Sequence, residues 1–193
     1  NAIWVRLRLN LIADAGIIGL PNVGKSSFLK SITNADPKIG DYPFTTLHPN
    51  LGVITYDHHE ELVIADIPGI IKNASSGVGL GIKFLGHVEK CNVLLHFLDC
   101  SQKNIIKNYE IIREELSKYG SGLKEKKEIL VLTKSDLISK DQINKYSKRL
   151  KSHCNQNVMS ISINDLNSLI ALKKLLLSEK TKNKQFDTKK WQP

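Results

Sequence analysis

No apolar run in the 193 residues approaches the roughly 18 needed to cross a bilayer, so the sequence predicts no membrane insertion. LIADAGIIGL, Leu11 to Leu20, is interrupted by Asp14 and leads into a glycine-bearing turn, unlike the apolar segment of a secretion signal. A cytoplasmic protein is expected. Cysteine is scarce: Cys91, Cys100 and Cys154 lie too far apart for a zinc knuckle, and an odd count argues against a disulfide framework, which leaves them as small apolar fillers. The six histidines, His48, His58, His59, His87, His96 and His153, lack metal-ligand spacing. There is no internal repeat, no aromatic set for stacking bases, and GVGLG (Gly77 to Gly81) lacks the GxGxxG spacing of a dinucleotide fingerprint.

What the chain has is alternation. ADAGIIG, LGVITY, ELVIAD, NVLLHFLD, EILVLT and NVMSISI read as strands, and helices are expected at about 25–33, 103–118, 141–152 and 165–177. LGVITY and ELVIAD are joined by a short DHHE turn and should pair antiparallel. Strands alternating with helices imply a parallel sheet covered on both sides, with its ligand site at the carboxyl ends of the strands. The expectation is one three-layer α/β domain, a mostly parallel six-stranded sheet with one antiparallel strand, over residues 13–178. Residues 1–12 contain the alternating WVRLRLNLI and are read as the stub of an N-terminal domain, and 179–193 as a basic mobile tail. A monomer is expected.

GLPNVGKSS, Gly19 to Ser27, has the spacing of a phosphate loop, GxxxxGK followed by Ser, placed after an apolar strand and before a helix. In that setting the backbone N–H groups of Leu20, Pro21's neighbours Asn22 and Val23, and the helix N-terminus can point at phosphates. Gly19 and Gly24 permit bends and close approach. Lys25 can reach the outer phosphates, and the Ser26 hydroxyl can ligate magnesium. A GTPase, an ATPase and a kinase all remain open at this motif. TKSD, Thr133 to Asp136, favours guanine: a carboxylate at Asp136 accepts from the ring N–H and exocyclic amine together, and adenine offers no such donor pair. Lys134 would lie along the base plane, with Ser135 between them. No second substrate pocket or lid for a kinase is evident.

With DYPFTTLHPNLGV (41–53), IADAGIIGLPNVGKSSFL, ADIPGII and GVGLGIKFLGHVEKC, the chain resembles the G domain of an Obg-family GTPase, a Ras-like P-loop NTPase, from about Leu7 to Leu177. The resemblance implies slow GTP hydrolysis in a protein attending large ribosomal subunit assembly. It implies that Thr46, in the switch segment Phe44, Thr45, Thr46, Leu47 and His48, closes over the γ-phosphate and ligates magnesium, Thr45 being the alternative ligand. It implies that Asp66 holds magnesium through water and that Gly69, after Ile67 and Pro68, offers its N–H to the γ-phosphate. Lys25, Thr46 and Gly69 are the expected catalytic groups. Thr133 stands where the family has Asn, and Ser162, Ile163 and Asn164 align with its last guanine-contacting motif. The glutamine that Ras-like enzymes use to position water is replaced by Ile70, so intrinsic hydrolysis should be slow. Related enzymes lacking it recruit potassium through an Asn at the position of Asn22. A second reading is a guanine-nucleotide sensor that hardly hydrolyses.

The net charge of +9 is unevenly placed: residues 1–139 contribute +1 and residues 140–193, with 12 basic and 4 acidic side chains, contribute +8. Ribosomal RNA contact through this basic third is the expected use, electrostatic and shape-led, beside the simpler reading of solvated helix faces.

Overall fold

The computed structural model describes residues 13–33, 38–39, 50–56, 60–66, 88, 91–119 and 122–188, with side chains left out at 38–39, 56, 119 and 183–188. Its strands are β1 (Ala13–Gly19), β2 (Lys38–Ile39), β3 (Asn50–Tyr56), β4 (Glu60–Asp66), β5 (Cys91–Asp99), β6 (Glu128–Thr133) and β7 (Asn157–Ser160). Its helices are α1 (Lys25–Ile32), α2 (Ile105–Tyr119), α3 (Lys140–Cys154) and α4 (Leu166–Thr188). The sheet order is β2-β3-β4-β1-β5-β6-β7. The expected α/β architecture with one antiparallel strand is present: β3 runs against its neighbours, while β4, β1, β5, β6 and β7 are mutually parallel. The short β2 adds an edge to β3 that the sequence pattern did not announce.

All six residues of β6 are buried, which explains why EILVLT reads as a continuous apolar run: helices cover both sides of it. On one side, Phe28, Leu29 and Ile32 of α1 and Leu169, Leu172 and Leu176 of α4 pack with Ile17, Leu95 and Phe97. Phe28 meets Phe97 edge to face, centroids 5.1 Å apart. On the other, Ile112 and Leu116 of α2 pack on Ile18 and Leu94, and Tyr109 of α2 joins Tyr146 and Leu150 of α3. Neighbouring strand residues such as Ile17 and Ile18 therefore serve opposite cores. Gly52 of β3 lies close under α1: a Cβ there would sit 2.4 Å from Thr33 Cγ2 and 2.6 Å from Leu29 Cδ1.

The second core is not wholly apolar. His96 Nδ1 lies 2.7 Å from Glu128 Oε1, both side chains buried, and the His96 ring stacks on Tyr109 at 5.3 Å. Arg113 approaches the same carboxylate at 3.5 Å.

α3 begins at a Ser139 cap, whose hydroxyl accepts from the Gln142 N–H, and ends at Asn155 in the left-handed region. The last helix differs from expectation. It continues to Thr188, through much of the segment read as an aperiodic tail. Charged groups explain the continuation: Glu179 is buried against Lys127, and Lys180 reaches Asp14 Oδ2 at 2.8 Å and the Glu61 carbonyl. Hydrophobic periodicity does not register such anchors. Among the described residues no helix is long and apolar enough to cross a membrane. The alternating segment at 1–12 lies outside the described residues.

Candidate functional site

Registers Gly19↔Phe97 and Asp99↔Thr133 bring the carboxyl ends of β1, β5 and β6 to one edge of the sheet, where their loops form a cleft. Gly19 has φ +149°, and a Cβ on it would lie 2.6 Å from the Phe97 carbonyl oxygen, so the chain turns here only because the residue is glycine. Asn22 (φ 63°) and Gly24 (φ 96°) complete the bend. Gly24 caps α1 without a side chain, and the first helical bond runs from Phe28 N–H to the Gly24 carbonyl. The N–H groups of Lys25, Ser26 and Ser27 precede that bond and form the donor-rich end of the helix. Lys25 Nζ donates to the carbonyls of Gly19 at 3.1 Å and Leu20 at 3.0 Å, curling over the loop. Burial lowers its pKa, opposed by the charge of Asp66.

One turn into the cleft, the Ser26 hydroxyl donates to Asp66 Oδ2 at 2.5 Å. Asp66 is the last residue of β4 and only 2% exposed, and its Oδ1 has no hydrogen-bond partner among the described residues. A hydroxyl oxygen beside a buried carboxylate with an unused oxygen suits a hard divalent cation. The donor set therefore fits magnesium, the expected metal.

At the other end, the Thr133 hydroxyl lies 2.7 Å from the Val23 carbonyl and 3.3 Å from that of Leu98. Threonine thus ties the Gly19–Ser27 loop to the strand that carries the TKSD segment. Lys134 takes the left-handed conformation (φ 57°) and its ammonium donates to Asp99 Oδ2 at 2.6 Å. Burial by itself would raise the Asp99 carboxyl, but hydrogen bonds from Lys134 and from the Ser101 side chain and backbone outweigh it and hold the pKa low. Asp136 follows on an exposed turn, Ser135–Leu137, pinned by Ser135 N–H to the Ile161 carbonyl at 3.2 Å. The Ser162 hydroxyl contributes most to holding its pKa below the usual carboxylate value, followed by its own backbone, with a smaller share from Asn164. Asn164 Nδ2 donates to Asp136 Oδ2 at 3.2 Å. Gly24, Phe28, Thr133, Lys134, Asp136 and Asn164 line the resulting cleft, about 180 Å³ in volume. Ser162 is buried and its N–H is used by Ser168, whereas Ile163 is exposed at the cleft rim and its N–H has no partner among the described residues.

The structure brings together Gly19 to Ser27, Asp66, Thr133 to Asp136 and Ser162 to Asn164. Phe44, Thr45, Thr46, Leu47, His48, Ile67, Pro68 and Gly69 lie outside the described residues. Sequence reasoning did not single out Asp99, which anchors Lys134; its signal was a carboxylate ending the apolar strand NVLLHFLD. His96 and His153 stand apart from the cleft, paired with Glu128 and Glu110.

A protein-family profile described as 50S ribosome-binding GTPase matches residues 14–134. The chain is 51% identical over 162 residues to GTPase Obg of Pseudothermotoga lettingae, which spans 82% of the chain and 37% of that protein. It is 49% identical over 183 residues to GTPase Obg of Rickettsia prowazekii, 95% of the chain and 55% of that protein. The chain thus spans about half the length, or less, of these relatives. In fold it is similar to the G domain of the T. maritima FeoB iron transporter, with TM-score 0.65, 20% identity, and coverage of 86% of this chain and 96% of that one.

Proposed function

The chain belongs to the Obg family of GTPases, and on that premise we propose that it binds GTP with magnesium, hydrolyses it slowly, and serves as a nucleotide switch in large ribosomal subunit assembly in the cytoplasm. The observation that most supports guanine is the placement of Asp136 in one cleft with Gly24 and Thr133, its carboxyl pKa held below the usual carboxylate value chiefly by the Ser162 hydroxyl. An ionised carboxylate there accepts from the donor pair that only guanine presents. In this reading Thr133, with a hydroxyl in place of the amide of the family's Asn, bridges to the Val23 carbonyl.

At the phosphate end, loop N–H groups receive the phosphates and Lys25 leaves its loop carbonyls to neutralise the outer charge. Ser26 would ligate magnesium and Asp66 would hold it through water; the ion, when bound, would supply charge stabilisation for phosphoryl transfer. Thr46 and Gly69 close over the γ-phosphate. Ile70 cannot orient the attacking water, which supports slow turnover, and Asn22 is positioned in sequence to help recruit potassium. The same Ile70 supports a second reading, a guanine-nucleotide sensor with negligible hydrolysis.

Titration with labelled GDP, with GTP and ATP as competitors and Asp136→Ala as control, tests the base; equal displacement by ATP would sink the proposal. Single-turnover phosphate release, with and without large ribosomal subunits, then separates switch from sensor. Equal rates in potassium and sodium buffers would remove the role given to Asn22.

A further inference from the structure

The positive excess of residues 140–193 divides between two helices on opposite sides of the sheet. α3 packs with α2 through Tyr146 and Leu150, whereas α4 packs with α1 through Leu169, Leu172 and Leu176. A flat partner surface cannot lie against both. The helices also use their cations differently. On α4, Lys180 is paired with Asp14 and Lys182 with Glu179, which leaves half-buried Lys173 and exposed Lys174 as the unpaired cations of that helix among the described side chains. On α3, Lys140, Lys145, Lys148, Arg149 and Lys151 are exposed, and none has a hydrogen bond or ion pair among the described residues.

Lys145, Lys148, Arg149 and Ser152 follow the i, i+3, i+4, i+7 spacing of one helical stripe. That stripe faces away from the one formed by Ile143, Tyr146, Leu150 and Cys154, which packs into the core. It borders an open groove of about 530 Å³ lined by Ile106 of α2 with Lys148, Arg149, Ser152 and His153. The nearby carboxylate of Glu110 is engaged by His153 at 3.2 Å. Among the described residues the exposed large apolar side chains Val53, Leu137, Ile163, Leu166 and Ile170 are all elsewhere, and Ile106 in the groove is half-buried, so the described part of this face lacks the exposed apolar anchor a protein interface needs. A polyanion needs no such anchor.

We infer that the outer face of α3, with the groove beside α2, is a docking surface for the phosphate backbone of folded RNA, and that α4 is not. The inference deepens the ribosomal part of the proposed function and rests on it. α3 starts two residues after the Ser135–Leu137 turn, capped by Ser139, so the RNA face and the base-reading carboxylate belong to one continuous segment.

The test is binding of the full chain to purified large-subunit ribosomal RNA across a salt series, beside labelled-GDP affinity and circular dichroism. Lys145→Ala/Lys148→Ala/Arg149→Ala should weaken RNA binding by at least about tenfold and reduce the log–log salt slope by about 3, each phosphate contact contributing about 1. GDP affinity should be unchanged, and Lys173→Ala/Lys174→Ala on α4 should bind RNA like the parent. Should the triple variant misfold, the single changes Lys145→Gln, Lys148→Gln and Arg149→Gln decide, each lowering the slope by about 1. An α3 variant with parental RNA binding, or an α4 variant that loses as much, overturns the inference. If intact large subunits are bound in a GTP-dependent manner but equally by parent and α3 variant, the ribosomal reading survives and this surface does not. If neither RNA nor subunits are bound, both fall.

Discussion

At the phosphate end of the cleft the loop's groups are mostly backbone, bent at Gly19 and Gly24; the one long side chain, Lys25, rests on carbonyls of its own loop, and the Ser26 hydroxyl reaches Asp66 of β4. At the base end they are side chains, and each is held by a partner from another segment: Lys134 by Asp99, Thr133 by Val23, Asp136 by Ser162 and Asn164. In the proposed reading a contiguous loop recognises what all nucleoside triphosphates share. Discrimination among them is left to groups whose aim depends on the sheet register. Damage at one end should therefore remove grip, and damage at the other should remove choice.

The sharpest way to break this contrast is Lys25→Ala, expected to weaken GTP binding by at least about 100-fold, because a charged contact to phosphate is lost. Isothermal titration in the presence of magnesium reads the effect, and any ATP binding should fall in parallel. Asp136→Ala comes next: GTP affinity should fall about 100-fold while weak ATP affinity holds, erasing the preference, as competition against labelled GDP would report. Thr133→Val probes the bond that joins the two ends. It strands the Val23 carbonyl and should lower stability by about 1–2 kcal/mol, read as a fall in Tm, with a several-fold loss of GDP affinity. Thr133→Asn should recover most of both.

The mildest change is Ser162→Ala. In the proposed reading Asp136 accepts from guanine only when ionised; it is ionised at neutral pH in any case, and its depressed pKa extends that form further into the acid range, where it is lost as pH falls through the lowered value. Removing the principal hydrogen bond should move that loss to higher pH and leave affinity at neutral pH within about twofold. A pH series of GDP titrations would show a matching profile for parent and variant if Ser162 plays no such part.

The same contrast explains what could be read in advance. Gly19 to Ser27 is a single stretch whose residue types and order are dictated by phosphate, so it is visible without a fold. Asp99 and the Val23 carbonyl become relevant only once β1, β5 and β6 are aligned side by side, and no local pattern marks them. The core strands were legible because burial on both faces forces apolar runs; β2, two residues long, offers no pattern at all. The last turns of α4 escaped because Glu179 and Lys180 hold it to the sheet through charge. Composition located the basic third of the chain but could not say that its two helices look in opposite directions.

Gly52 has a reach beyond its strand. Leu29, against which any side chain at position 52 would press, stands one helical turn beyond Lys25 on α1, and Thr33 closes the same helix. A methyl group there would displace the ends of these two side chains and disturb the packing of α1 on the sheet, the helix whose first turn presents Ser26 to Asp66. Crowding on the flank of the sheet would thus be felt at the contact between Ser26 and Asp66, at a distance from the place where the atom was added.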